Sequence, residues 1–138
     1  MMQPKKTRFR RAFKGRIRGT AKAGFTLNFG SHGLKAIEPD RITARQIEAA
    51  RVAAGHYLGR VGKMWLRIFP HTPVTKHPAE SRMGSGKGEV DHWMQHVDAG
   101  TVIFEFAGIS EDQARQTLRR QAFKLPLRTR MVSRQSND

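Results

Sequence analysis

The chain contains no cysteine, which excludes disulfides, thiolate zinc sites and a thiol nucleophile. No apolar run approaches the roughly 18–20 residues of a membrane span, and no signal-peptide apolar region follows Met1. From Met1 to Ile37 there is no Asp or Glu, and all eleven acids begin at Glu38 or later. A stretch so short of one sign repels itself and stays unstructured until a polyanion neutralises it.

Cations fill that stretch: Lys5, Lys6, Arg8, Arg10, Arg11, Lys14, Arg16, Arg18, Lys22 and Lys35. Over all 138 residues the formal net charge is +15, and Arg outnumbers Lys by 17 to 9. Arg offers a planar fork to phosphate and stacks on bases, where Lys acts as a point charge. The balance points to nucleic acid, whose phosphates release counterions on contact. Phe9 and Phe13, set among the charges, suit stacking on unpaired bases or anchoring on a protein neighbour. Mitochondrial transit peptides share a basic, acid-poor start, but this one is Gly-rich, nearly Ser-free and not amphipathic.

The pattern predicts three segments: a basic extension over residues 1–24, one domain over 25–132 and a polar tail over 133–138. Phe25, Leu27 and Phe29 alternate with polar residues as in a half-buried strand. Residues 30–33 read as a turn, with a short strand over 34–37. Thr43 and Gln46 form a capping box that opens a helix; Ile47, Ala50, Ala54, Tyr57, Leu58 and Val61 keep helical spacing, and Gly62 ends it. Strands follow over 64–69, 90–97 and 102–106, with a proline-framed connector between Pro73 and Pro78. Ser110 and Gln113 open a second helix, with Ala114, Leu118 and Ala122 inward; it runs to about Lys124, before Pro126. A last strand covers 127–132. The fold class is α+β, with two helices on a mixed, mostly antiparallel sheet.

Arg82-Met83-Gly84-Ser85-Gly86-Lys87-Gly88 is the sharpest local signal. Glycines let backbone N–H groups approach phosphate oxygens. The run fails as a nucleotide-binding P-loop, which needs Gly at Ser81 and a hydroxyl residue at Gly88. The alternative is a solvated hairpin. Six histidines show no metal-ligating pattern: His92 and His96, four apart on a strand, stand about 13 Å apart. No nucleophile elbow marks a catalytic set. Glu80 and Glu89 flank the glycine run as an acid–base pair could, but read as ion-pair partners of neighbours such as Arg82 or Lys87. No enzyme, cofactor or metal is therefore expected.

The glycine run followed by Trp93 resembles the R-M-G-x-G-K-G signature of protein sixteen of the large ribosomal subunit, in its bacterial or organellar form. Gln3-Pro4-Lys5-Lys6-Thr7-Arg8-Phe9-Arg10, residues 42–51 and Lys124-Leu125-Pro126-Leu127-Arg128-Thr129 are similar to it too, in order and at matching separations over about residues 1–132. The resemblance implies a structural, non-enzymatic protein of the large subunit that binds ribosomal RNA and helps position tRNA near the peptidyl transferase centre. It implies ribosomal RNA contacts at Lys5, Lys6, Arg8, Phe9, Arg10, Arg11, Lys14, Arg16, Arg18, Arg45 and Arg51. The loop nearest tRNA would be Arg82, Met83, Gly84, Ser85, Gly86, Lys87 and Gly88. Expected partners are large-subunit RNA, tRNA and neighbouring ribosomal proteins, with no membrane and no homo-oligomer. The expected location is the ribosome, in bacterial cytoplasm or mitochondrial matrix. The rival from another class is a free-standing RNA chaperone or DNA-compacting protein.

The chain departs from the family after Arg51, where Val52-Ala53-Ala54-Gly55-His56-Tyr57-Leu58 replaces a more basic stretch. A protein neighbour could cover that face. This drift and the Met1-Met2-Gln3-Pro4 start look alphaproteobacterial or mitochondrially encoded. The charge generates one prediction. With about six to ten phosphate contacts on duplex RNA, affinity falls roughly 10³–10⁵-fold between about 50 and 200 mM salt. A salt titration of binding checks it, and an affinity flat across that range contradicts it.

Overall fold

A computed structural model describes residues 2–17 and 19–134; Met1, Arg18 and residues 135–138 lie outside them. The expected contact at Arg18 and most of the predicted polar tail therefore fall outside the described residues. The order is β1 (His32–Ala36), β2 (Asp40–Thr43), α1 (Ala44–Leu58), β3 (Lys63–Leu66), β4 (Thr72–Lys76), β5 (Glu89–Val97), β6 (Val102–Ala107), α2 (Glu111–Ala122) and β7 (Thr129–Ser133). The strands divide into two sheets, ordered β3-β6-β1-β7 and β2-β5-β4. Every strand pair is antiparallel. The α+β class with two helices on antiparallel sheets is thus as the pattern indicates. No helix among the described residues is long and apolar enough to cross a membrane.

Both helices begin where their capping boxes place them. The Gln46 N–H donates to Thr43 Oγ1 (3.2 Å), and the Thr43 N–H donates to Gln46 Oε1 (2.9 Å). Ser110 and Gln113 repeat the exchange at 3.2 and 3.1 Å. Each box satisfies two backbone donors that the first helical turn would leave orphaned. Helix α1 stops earlier than Gly62, because Gly59 turns the chain at φ +64° and donates to the Gly55 carbonyl. Val61 and Tyr57 are accordingly exposed, while Ile47, Ala50 and Ala54 stay buried. The α2 side chains Ala114 and Leu118 are buried as predicted, and Ala122 is only half-buried.

The core lies where α1 and α2 pack on each other and on the sheets. It gathers Leu34, Ile42, Ile47, Val97, Ile103, Phe104, Phe106 and Leu118, with Leu125 and Leu127 closing the α2 end. Each large apolar side chain fully withdrawn from water contributes about 1.5–3 kcal/mol. Gln121 is buried between the helices and donates to the Ala50 carbonyl at 3.3 Å.

Three local expectations are corrected. Strand β2 was not foreseen, since Asp40-Arg41-Ile42-Thr43 shows one apolar residue and no alternation; its edge pairing with β5 supplies the strand. Pro73 lies inside β4 rather than in a connector, which is tolerated because β4 is an edge strand. Residues 25–29 form no strand, although their apolar alternation is used.

The backbone N–H groups of residues 28–30 go instead to Glu105. The carboxylate Oε1 accepts from the N–H of Asn28 (2.8 Å), Phe29 (3.1 Å) and Gly30 (3.3 Å). Its other oxygen accepts from the Arg67 guanidinium at 2.6 Å. The Glu105 side chain is wholly buried and that of Arg67 largely so. Burial pushes the Glu105 carboxyl up, but the Arg67 hydrogen bond and the three backbone donors together outweigh it and hold the group below its ordinary value. Residues 28–30 are thereby fastened across β6 with every carboxylate oxygen matched.

Breaking a buried pair strands the partner charge and costs about 3–5 kcal/mol. Glu105→Ala should lower unfolding free energy by that order in urea at neutral pH; a loss under about 1 kcal/mol contradicts the assignment. Because the folded carboxyl lies below its unfolded value, its contribution is present at neutral pH and is lost as pH falls through the acid range. The Glu105→Gln variant should therefore show a shallower acid loss of stability than the parent chain.

Candidate nucleic-acid interface

Among its described residues the basic extension contains no helix or strand, but it runs against the folded domain. Met2 packs at the edge of the core. Arg41 of β2 donates to the Gly15 carbonyl. Further on, Thr20 bridges Ala99 in parallel, the Ala21 N–H donates to the Ala99 carbonyl (2.9 Å), and Gly24 accepts from Val102 (2.8 Å). Between these fastenings Lys5, Lys6, Arg8, Phe9, Arg10, Arg11, Lys14 and Arg16 all lie exposed. Phe13 is 95 % exposed and Phe9 69 %, so neither ring is used for packing. The Arg8 guanidinium sits 5.4 Å from the Phe9 ring centroid.

The glycine run joins β4 to β5. Gly84, Ser85 and Gly86 all take positive φ (+99°, +64° and +90°), a conformation that costs a non-glycine residue more and that Gly adopts freely. Residues 81–87 are exposed, with the Met83 side chain fully in solvent. Gly88 is different. It is buried, and a Cβ there would lie 2.9 Å from the Lys76 backbone. The last glycine of the run is thus a packing residue at the loop's base, while the first two shape its tip.

The fold brings extension and loop together at the start of β5. Arg11 pairs with Glu89 at 3.1 Å. Lys87 Nζ donates to the Ala12 carbonyl at 3.0 Å and stands 5.5 Å from the Phe13 ring centroid. Two segments about 75 residues apart in sequence therefore form one exposed basic surface. Arg8, Phe9, Arg10 and Arg11 line a cleft with Glu89 and Val90, and Arg82 and Lys87 line an adjoining one with His77 and Ser81. Sequence reading misses Arg41 as a fastening, and Glu89, expected to pair with a neighbour such as Arg82 or Lys87, pairs with Arg11 of the extension instead.

Arg45 and Arg51 lie on α1 and line neither cleft. Both are exposed, and Arg51 is held by Glu48, one turn before it. The Arg51 hydrogen bond, ahead of burial's opposing effect, keeps Glu48 below its ordinary carboxyl value. The weakly basic stretch after Arg51 faces a groove that Ala49, Val52, Ala53 and His56 share with Arg120, Phe123 and Lys124. Helix α2 thus supplies cations where α1 lacks them. Arg120 also caps the Tyr57 ring at 4.5 Å. No group of three or more potential ligands among the described residues could hold a metal ion.

The sequence matches the family described as Ribosomal protein L16p/L10e over residues 4–132. The chain belongs to that family of ribosomal proteins. It is similar to the large ribosomal subunit protein uL16 of Bartonella henselae, 59% identical over 97% of this chain and 98% of that one. The uL16 protein of Caulobacter vibrioides is 60% identical over 97% of this chain and 94% of its own. That of Bartonella quintana is 58% identical over 97% and 98%. Family membership makes the chain a structural ribosomal component and not an enzyme. These relatives are bacterial, so the mitochondrial alternative has no support and is set aside.

The loop's base gives a sharp test. Gly88→Ala forces a methyl against the β4 backbone, and overpacking of this kind costs about 1–3 kcal/mol. Gly88→Ala should lower the melting temperature and speed amide exchange in β4. An unchanged melting temperature would mean that the base relaxes without cost.

Proposed function

We propose that this protein binds the RNA of the large ribosomal subunit and helps position tRNA near the peptidyl transferase centre. The extension contributes Lys5, Lys6, Arg8, Phe9, Arg10, Arg11, Lys14 and Arg16 to ribosomal RNA, with Arg18, Arg45 and Arg51 as further contacts. Residues 82–88 form the part nearest tRNA. The observation that carries this reading is the meeting of the extension and the glycine loop at Glu89 and Lys87. One continuous cationic surface, with unpacked Phe rings and loop N–H groups, suits a folded RNA that offers phosphates and unpaired bases together. The protein performs no chemistry; it fixes the geometry in which RNA acts. Neighbouring large-subunit proteins complete its surroundings.

The buried core gathers residues 34–127, and the extension fastened against it serves RNA, so the labour divides near residue 24. Deleting residues 1–22 should reduce incorporation into large subunits, read by co-sedimentation. Arg82→Ala with Lys87→Ala should leave incorporation intact and weaken tRNA binding to isolated subunits about tenfold per lost contact, as expected for one charge-assisted hydrogen bond (~1.5 kcal/mol). Recovery of the full chain mainly in nucleoid or messenger fractions, with little on large subunits, would favour the free-standing binder instead.

A further inference from the structure

The four-stranded sheet carries a second basic surface that includes none of the contacts assigned above. Cross-strand partners share a face. Trp65 lies opposite Glu105, Glu105 opposite Gly33, and Gly33 opposite Val132. The alternate residues Leu34, Phe104 and Phe106 belong to the core with Leu118 of α2, so this first set points away from the helices.

Residues 28–30 lie over that outer face, held by Glu105. Phe29 stacks on Trp65, with ring centroids 6.0 Å apart and planes 21° from parallel. Lys63 Nζ stands 5.1 Å from the Trp65 centroid and the Arg67 guanidinium 5.1 Å from that of Phe29. Phe29 nevertheless remains 56 % exposed. Across the sheet Lys35 faces Arg130, and the two line a shallow cavity with Phe25 and Val132. Arg134 reaches the Leu27 carbonyl at 3.0 Å. The four strands contain one carboxylate, Glu105, and it is buried and fully engaged. Nothing acidic on these strands offsets Lys35, Lys63, Arg130 and Arg134.

We propose that this outer face is a second RNA-contact surface, on which Phe29 and Trp65 stack an unpaired base while Lys63, Arg130 and Arg134 take flanking phosphates. The proposal rests on the RNA-binding reading above and extends it to a different sheet. An aromatic platform accepts any base through its π face, and adjacent cations track the backbone. An apolar protein partner would bury these cations unpaired, at a cost RNA avoids by neutralising them. The ordering by Glu105 supplies preorganisation: the Phe29 ring is held before any ligand arrives.

The test uses the full chain with Trp93→Phe, which leaves Trp65 as the only tryptophan. It is titrated with end-labelled single-stranded oligoadenylate, following both RNA anisotropy and Trp65 emission. Emission should be quenched in step with binding. Phe29→Leu keeps an apolar contact on Trp65 but removes the ring, and should weaken binding about 5- to 150-fold, the range for one stacked base. Lys63→Ala, on an exposed side chain, should reduce the salt slope of affinity by about one. RNA binding with Trp65 emission unmoved and Phe29→Leu without effect would overturn this platform and leave the extension and loop standing. Absence of RNA binding altogether would overturn both. Crosslinking of Trp65 to a protein neighbour in assembled subunits would overturn the choice of RNA as occupant.

Discussion

One buried carboxylate organises more of this molecule than any other side chain. Glu105 accepts three consecutive backbone N–H groups and one guanidinium. In a chain carrying 26 Lys and Arg against 11 acids, this carboxylate is placed inside the fold and matched there by four donors. Its effect is to convert residues 28–30 from a trailing segment into a lid. The chain before it then leaves the domain at a fixed place and in a fixed direction, and it is fastened to Arg41 of β2, Ala99 after β5 and Val102 of β6.

Charge and packing thus act on separate parts of the protein. The core is built from aliphatic side chains, two phenylalanines and two capped helices, and needs none of the surplus cations. The cations line surfaces that packing leaves open. Burial of the Arg41-flanked His96 ring pushes its imidazole below the usual range, so no further positive charge is added beneath the extension at neutral pH. The large net charge repels itself and is relieved locally where acids pair with it, as at Glu89, Glu48, Glu105 and Glu111, and RNA phosphate supplies what the chain lacks.

Much of this was legible in the residues. Thr43/Gln46 and Ser110/Gln113 mark both helix starts because a capping box is a local reciprocal bond. The apolar run of β6 marks a buried strand because no other element needs so many branched and aromatic side chains together. The acid-free start and the glycine run mark segments that the fold leaves exposed and basic. What was not legible depends on tertiary neighbours. Glu105, read within Val102-Ile103-Phe104-Glu105-Phe106, looks like the polar step of an alternating strand; only the returning chain makes it an anchor. Residues 25–29 alternate as a strand does, yet the N–H groups of Asn28, Phe29 and the following Gly30 go to a carboxylate instead of a ladder. The meeting of Lys87 with Ala12 joins segments whose separation no local pattern spans, and Trp65 with Phe29 looks like core material until the sheet face is seen to be open.

The central claim is that a rigid domain presents a basic extension and a pliant loop together to ribosomal RNA. The most direct measurement is a residue-resolved crosslinking map of the full chain within assembled large subunits. The account predicts RNA adducts at residues 5–16 and 82–88, reaching nearby RNA or tRNA nucleotides. Adducts from those segments to protein alone, or none at all while the domain is present in the particle, would contradict it.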